Sequence, residues 1–226
     1  MQTSYISSQN NAFGNQWHIR SVSQKNNTPQ ETKKDSAIAT LFQYISSLSG
    51  MTLTNEEKAK LQMAFKHKIV KRKQYLLQEG DVCKHLYFVV HGALRMYSVN
   101  ERGQEAIVSF NAEGDWCSDR ESIALMEPSG FNIEAIEHSE VLQVSASQLE
   151  NLSLHIPAVC EMIKKQYKIY AIETQNRIHT AISMTAEERY QNLIEFYPEI
   201  AKRFPKNMVA CYLGIQPETL SRLRKK

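Results

Sequence analysis

"NMVACYLGIQPETLSRLRKK", residues 207–226, carries the pattern of two short helices and the turn between them. Asn207 is a favourable N-cap for a helix over Met208 to Leu213, with Val209, Ala210 and Leu213 facing inward. Gly214 is suited to the left-handed conformation that ends a helix, and Ile215 fills the junction. Pro217 fits the first turn of the next helix, where its missing N–H is not needed, so Pro217 to Arg224 reads as that helix. Two short helices joined by a three- to four-residue turn containing glycine form a helix-turn-helix. The second helix buries Leu220 and Leu223 and presents Glu218, Thr219, Ser221, Arg222 and Lys225. Arginine pairs bidentately with guanine, glutamate accepts from cytosine, and hydroxyls and lysine reach phosphate oxygens. With Gln216 and Arg224 these residues form the set expected to meet double-stranded DNA; a generic helical hairpin with a solvated face is the plain alternative.

The charge distribution bears on that choice. The last 25 residues hold seven lysines and arginines against one acid, Glu218, a surplus of six, so the rest of a chain with net charge +3 carries −3. A mildly acidic body with a basic end points to a polyanion at the end alone.

Working back along the chain, "TAEERYQNLIEFYPEI" (185–200) opens with a capping box, Thr185 and Glu188, and repeats Tyr190, Leu193, Ile194 and Tyr197 at helical spacing, which predicts a helix ending near Pro198. Before it, Cys160, Ile163, Tyr167, Tyr170, Thr174, Arg177 and Ala181 alternate spacings of three and four, the seam of a helix lying along another helix. No glycine or proline interrupts 158–181, a span of roughly 36 Å as a helix. Ile163, Tyr167, Tyr170, Thr174 and Arg177 are the predicted dimer contacts, packing against the β-domain being the alternative.

Between about Val70 and Ser145 the period changes to two and β-branched and aromatic residues rise. Gly80, Gly92, Gly103 and Gly114 fall 12, 11 and 11 residues apart, as expected when each closes one strand-turn-strand step of a jelly roll. Ahead of the strands, "AIATLFQYISSL" (37–48) and "TNEEKAKLQMAF" (54–65) predict two helices, the second with a capping box at Thr54 and Glu57 and one face continuing through Leu61, Phe65 and Ile69. Residues 1–35, rich in Ser, Gln, Asn and Thr, read as a disordered arm.

The four cysteines, Cys83, Cys117, Cys160 and Cys211, form no C-x-x-C pair, so neither a zinc site nor a disulfide framework is expected. The start has no basic n-region or apolar h-region, and no apolar run reaches membrane-spanning length, so a cytoplasmic protein with no membrane partner is expected.

The order of β-sandwich, long helix and helix-turn-helix resembles the Crp-Fnr family of bacterial transcription regulators over about residues 40–226. The ending "ACYLGIQPETLSRLRKK" is similar to the family's "AxYLGIxPETLSRxRKK", closest in look to Bacteroidetes members. "LLQEGDVCKHLYFVVHGALRMY" (76–97) is similar to the family's first glycine-bounded hairpins, and "FNAEGDW" (110–116) to its F…pGD turn. The resemblance implies an α+β chain: an arm (1–35), a cyclic-nucleotide-binding-type jelly-roll sensor domain (36–155), a dimerisation helix (156–182) and a helix-turn-helix domain (183–226). It further implies a homodimer on a pseudo-palindromic site, RNA polymerase as an additional partner, and no enzymatic activity. The family's base-contacting glutamate and arginine fall on Glu218 and Arg222, with Thr219 beside them; the catabolite activator's preceding arginine is Pro217 here.

The sensor site departs from the family. The Gly-Glu pair of members that bind cyclic AMP lands on Ser118-Asp119, and their phosphate-facing arginine lands near Ser129-Gly130. Trp116, Cys117, Ser118, Asp119, Arg120 and Ser129 are the candidate pocket, with Asp119 placed to accept a ribose hydroxyl and Arg120 or Arg95 as substitutes for the absent arginine. An unpaired buried phosphate is costly, so cyclic AMP in the standard mode is not expected, and the effector is unknown. No cofactor is predicted: residues 1–82 contain no cysteine for an iron–sulfur cluster. His85 and His91 lie in a strand hairpin, where a histidine is ordinarily a core or surface residue rather than a haem ligand. Cys117 could act as a thiol sensor, although a buried cysteine is usually inert. A ligand-free sensor in a constitutive regulator is one alternative. A cupin-type metalloenzyme is the remote one, disfavoured by the dispersal of His67, His85, His91 and His138.

Overall fold

The structure is a computed structural model that describes residues 30–225. It divides after Ser183 into two compact units.

The first unit opens with two helices, α1 (Gln30–Ser49) and α2 (Asn55–Ala64). Helix α1 begins within the segment read as a disordered arm: its start is too polar to show an apolar period, yet it runs unbroken into Ala37, Ile38, Leu41 and Ile45, which are buried. Residues 1–29 of that arm lie outside the described residues. The capping box of α2 forms as expected, Thr54 Oγ1 accepting from the Glu57 N–H and Glu57 from the Thr54 N–H. The predicted face does not continue: α2 stops at Ala64, Phe65 is its C-cap, and Ile69 is a solvent-facing residue of a strand. The extended backbone at Phe65 changes the period from helix to strand there, while the Phe65 side chain stays in the core.

Eight strands follow: β1 (Lys66–Val70), β2 (Tyr75–Leu77), β3 (His85–His91), β4 (Leu94–Val99), β5 (Glu105–Asn111), β6 (Trp116–Cys117), β7 (Asn132–Ala135) and β8 (Ser139–Ser145). They pair antiparallel in two four-stranded sheets, ordered β1-β8-β3-β6 and β2-β7-β4-β5, the expected jelly roll. A short helix, α3 (Arg120–Leu125), interrupts the strands between β6 and β7, and α4 (Ala146–His155) follows β8.

Strand β3 shows why the unit has two cores. Tyr87 and Val89 face the sandwich interior with Val70, Leu77, Leu94, Ile133 and Val141. Phe88, on the opposite face, meets Leu41, Ile45, Leu61, Phe65, Leu152, Ile156 and Met162 from the helices. Both faces being covered, "HLYFVVH" is nearly continuous in apolar residues instead of alternating. The four regularly spaced glycines all sit at strand connections. Gly92 is the constrained one: with φ 90°, a Cβ there would fall 2.3 Å from Ser139 Oγ and 2.7 Å from its Cα.

Helix α5 (Pro157–Ser183) ends this unit. Ala158, Val159 and Met162 anchor its first turns in the helical core, after which it exposes most of its surface.

The second unit contains α6 (Ala186–Phe196), α7 (Pro198–Arg203), α8 (Lys206–Leu213) and α9 (Pro217–Leu223). The Thr185–Glu188 capping box is present. The helix ends before Pro198 as expected, but Pro198 starts the additional helix α7, with Ile200 buried against its neighbours. Asn207 is not the N-cap of α8. That helix starts at Lys206 behind Pro205, whose fixed φ of −56° sets the entry without a side-chain cap.

Candidate functional site

Helices α8 and α9 are joined by Gly214, Ile215 and Gln216. Gly214 takes φ 64° and ψ 36°, and the Ile215 N–H bonds back to the Ala210 carbonyl at 3.0 Å, ending α8 with a sharp change of direction. Val209, Ala210, Leu213 and Leu220 form the inner face, Leu220 being fully buried, while Leu223 is only partly covered. The residues predicted to meet DNA are Gln216, Glu218, Thr219, Ser221, Arg222, Arg224 and Lys225. All are exposed except Thr219, which is half-buried and accepts a long hydrogen bond from Arg222 at 3.5 Å. The outer face thus offers one acid, hydroxyls and three cations. That is the chemistry of a surface that reads base edges and holds phosphates.

The six residues assembled from sequence as a sensor pocket do not converge on one cavity. Strand alternation sends Trp116 to the helical core, 5.4 Å from the Phe88 ring and 6.1 Å from Phe65, and sends Cys117 to the sandwich core. Burial pushes the Cys117 thiol far above its usual range, as befits an inert core cysteine. Half-buried Ser118 lies between Cys117 and Asp119. Asp119, buried, is the N-cap of α3: its Oδ1 accepts from the Glu121 and Ser122 N–H groups at 3.0 and 3.3 Å. Its Oδ2 accepts from the Ser129 hydroxyl at 2.6 Å.

The two positions where the family resemblance places a ribose-binding glutamate and a phosphate-binding arginine therefore bond to each other. Asp119, expected to accept a ribose hydroxyl, is already engaged in three hydrogen bonds within the fold. The surrounding backbone is tied down too. Gly80 donates to the Ser129 carbonyl at 2.8 Å, the Ser129 N–H donates to Asp81 at 2.9 Å, and the Cys83 N–H donates to Ser122 Oγ at 2.9 Å.

Neither substitute arginine faces this spot. Arg95 forms a two-pronged pair with Glu105 at 2.5 and 3.1 Å, donates to Glu134 at 3.2 Å and lies 3.9 Å over the Tyr97 ring. Arg120 turns to α5, where it stacks on Tyr170 at 4.0 Å and Tyr167 at 4.9 Å. An open cleft of about 370 Å³ does exist in the unit, but it is lined by Leu76, Gly80, Cys83, Lys84, His85 and Tyr87, and neither Asp119 nor Ser129 borders it.

The histidines weighed as ligands are separate. His67 lies 3.3 Å from Glu140, and His91 lies 3.5 Å from Glu113. His85 has its pKa lowered by partial burial and by Lys68, Lys66 and Lys84. Among the described residues no group of three His, Cys, Asp or Glu could hold a metal, and no helix is long and apolar enough to cross a membrane.

Along α5 the predicted dimer seam is used unevenly. Ile163 packs on the helical core, Tyr167 and Tyr170 carry Arg120, Thr174 is exposed, and Arg177 reaches the Ile107 carbonyl at 2.8 Å. Exposed apolar side chains the seam did not include are Ile172, Ile178 and Ile182, the last 80% exposed. A heptad template counted from Cys160 passes one residue to the N-terminal side of Ile178 and Ile182; counting apolar residues at intervals of four would have found both.

Comparison with known proteins identifies the scaffold. Residues 67–155 match the cyclic nucleotide-binding domain. The regulatory protein HlyX of Actinobacillus pleuropneumoniae is 28% identical over 184 residues, covering 76% of each chain. The fumarate and nitrate reduction regulatory protein of Yersinia pestis is 28% identical over 170 residues, which span 69% of this chain and 66% of that one. The structure of FixK2 from Bradyrhizobium japonicum superposes with a TM-score of 0.59 at 20% identity, covering 71% of this chain and 83% of that one. With a jelly roll, a long helix and a pair of short C-terminal helices in that order, the chain carries a cyclic nucleotide-binding domain and is similar to DNA-binding transcription regulators of the Crp-Fnr type.

Proposed function

We propose that the protein works as a homodimer in the cytoplasm, placing α9 of each copy in successive major grooves about 34 Å apart on a pseudo-palindromic site. The observation that carries this reading is the outer face of α9, where Glu218, Ser221, Arg222, Arg224 and Lys225 stand exposed on a helix fixed by buried Leu220. Glu218 and Arg222 read bases, and Arg224 and Lys225 hold phosphates. Dimerisation through α5 is supported by Tyr167, Ile172, Ile178 and Ile182, which leave apolar surface along a 27-residue helix. RNA polymerase is a further partner, and the chain has no catalytic role.

A second reading concerns the sensor domain, which we place among those that do not take cyclic AMP in the standard mode. The Asp119–Ser129 hydrogen bond favours a regulator whose standard nucleotide position is closed by its own side chains.

Selection of bound sequences from a random duplex pool, with and without cell metabolite extract, tests both readings. A palindromic motif of equal strength in the two arms supports the closed sensor, and a motif that sharpens with extract supports a ligand bound elsewhere. The absence of any motif overturns the reading of α9.

A further inference from the structure

The open cleft of the first unit is walled by the loop between β2 and β3 and by the strands on either side of it. Its volume of about 370 Å³ lies at the lower end of the range for small-molecule sites. Asp81, Lys84 and His85 border it beside Leu76, Leu77 and Tyr87. The loop is pinned from behind. Gly80 donates to the Ser129 carbonyl, the Asp81 carbonyl accepts from the Ser129 N–H, Val82 bridges to Pro128, and the Cys83 N–H bonds to Ser122. The cleft is therefore a standing feature of the fold, and an occupant does not have to order its walls.

Strand register brings two more cations to it. Lys66, Gln143 and Tyr87 form one row across β1, β8 and β3, and Lys68, Val141 and Val89 form the next; directly paired residues share a face of the sheet. Tyr87, Val89 and Val141 belong to the sandwich core, so Lys66 and Lys68 project from that same inner face at the open edge of the sheet, β1. Two strand spacings put the Lys66 backbone about 10 Å from that of Tyr87, a distance much of which a lysine stem spans. The charges of both lysines are felt at the cleft: the His85 pKa is lowered by partial burial first, and then by Lys68, Lys66 and Lys84. Among the described residues no ion pair engages Lys66, Lys68 or Lys84, whereas Lys60 and Arg95 are paired. Inward-facing lysines on an edge strand discourage pairing with other chains, but that accounts for β1 alone and not for Lys84 and His85.

We propose that this cleft is a binding site for a small phosphorylated compound that bears hydroxyl groups, with Lys66, Lys68 and Lys84 holding the phosphate and Asp81 accepting from a hydroxyl.

The charges match that chemistry. Three lysines against one carboxylate leave a surplus of two, which a phosphate dianion neutralises. Asp81 repels a bare anion, whereas a hydroxyl on the same molecule gives its carboxylate a donor. The site is separate from the Asp119–Ser129 position, and it stands whether or not that position admits a nucleotide.

The test uses full-length protein at constant ionic strength set with chloride. The ring proton on His85 Cε1 is followed by NMR, assigned by its loss in His85→Gln. Glucose 6-phosphate is expected to shift it saturably, inorganic phosphate to shift it more weakly, and glucose to leave it unmoved. Lys84→Gln, and separately Lys66→Gln combined with Lys68→Gln, should each raise the dissociation constant of glucose 6-phosphate about tenfold. Lys60→Gln, whose parent ammonium is paired with Glu56 and does not border the cleft, should leave it unchanged. Asp81→Ala should weaken glucose 6-phosphate and strengthen inorganic phosphate, because it removes both a hydroxyl acceptor and a repelling charge. No saturable shift with either phosphate compound overturns the site. So does parental affinity in the lysine variants, either of which suffices if the other does not fold, and so does an equal loss in Lys60→Gln, which would mark unspecific charge attraction. None of these readouts involves DNA or cyclic AMP. A saturable glucose 6-phosphate shift in a protein that selects no duplex motif would refute the reading of α9 and leave the cleft standing.

Discussion

Helix α9 and the Asp119–Ser129 site hold similar polar chemistry and put it to opposite uses. On α9 the carboxylate, hydroxyls and guanidinium face outward, with one long hydrogen bond between Arg222 and Thr219. At the sensor position the carboxylate, two hydroxyls and three backbone N–H groups are closed on one another inside the fold. Polar groups kept available for a partner must tolerate solvent in the meantime, whereas buried ones must be satisfied internally. The contrast teaches that the first site leaves its polar groups open to solvent, whereas the second spends them on holding α3 in place.

The largest expected effect tests whether the outward face depends on its single buried support. Leu220→Ala should cost about 3 kcal/mol, as removal of a fully buried leucine does, abolishing duplex binding while the first unit keeps its unfolding transition in a calorimetric scan. Next comes the inward site. Asp119→Ala strips the α3 cap and leaves the Ser129 hydroxyl without its acceptor, so the urea midpoint of the first unit should fall by an amount equal to about 2 kcal/mol. A variant as stable as the parent would mean that the site is not structural.

The outward chemistry is expected to be worth somewhat less per residue. Arg222→Ala should lose about 1–3 kcal/mol of discrimination between preferred and scrambled duplexes, measured by competition, with little change in thermal stability. Arg224→Ala should weaken all duplexes alike and reduce the slope of log K against log salt by about 1. The smallest effect predicted is none at all. Cyclic AMP at millimolar concentration should leave the unfolding temperature where it was, whereas a ligand at about a hundredfold its dissociation constant would add roughly 2.7 kcal/mol. A clear upward shift would erase the contrast, because it would show that the Asp119–Ser129 bond opens to a nucleotide.

Much of the architecture was legible in local patterns. Thr54 with Glu57, and Thr185 with Glu188, are reciprocal caps set by residues three apart, so they survive any tertiary context. Gly214 in the left-handed region and the evenly spaced turn glycines are equally local. The errors came where local signals compete. Pro205 displaced Asn207 at the start of α8, Pro198 started a helix as well as ending one, and the polar first turn of α1 hid a helix that its later residues bury.

The sequence by itself determined the order of elements, the basic end and the outward chemistry of α9, because each rests on contacts within a few residues or on composition. Only the tertiary structure decided the fate of the sensor residues. Asp119 and Ser129 are ten positions apart in sequence, Arg95 and Glu134 thirty-nine, and Arg120 meets Tyr170 from a different element. Whether such side chains wait for a ligand or satisfy one another depends on how close folding brings them, and no pattern of residue types along the chain records that distance.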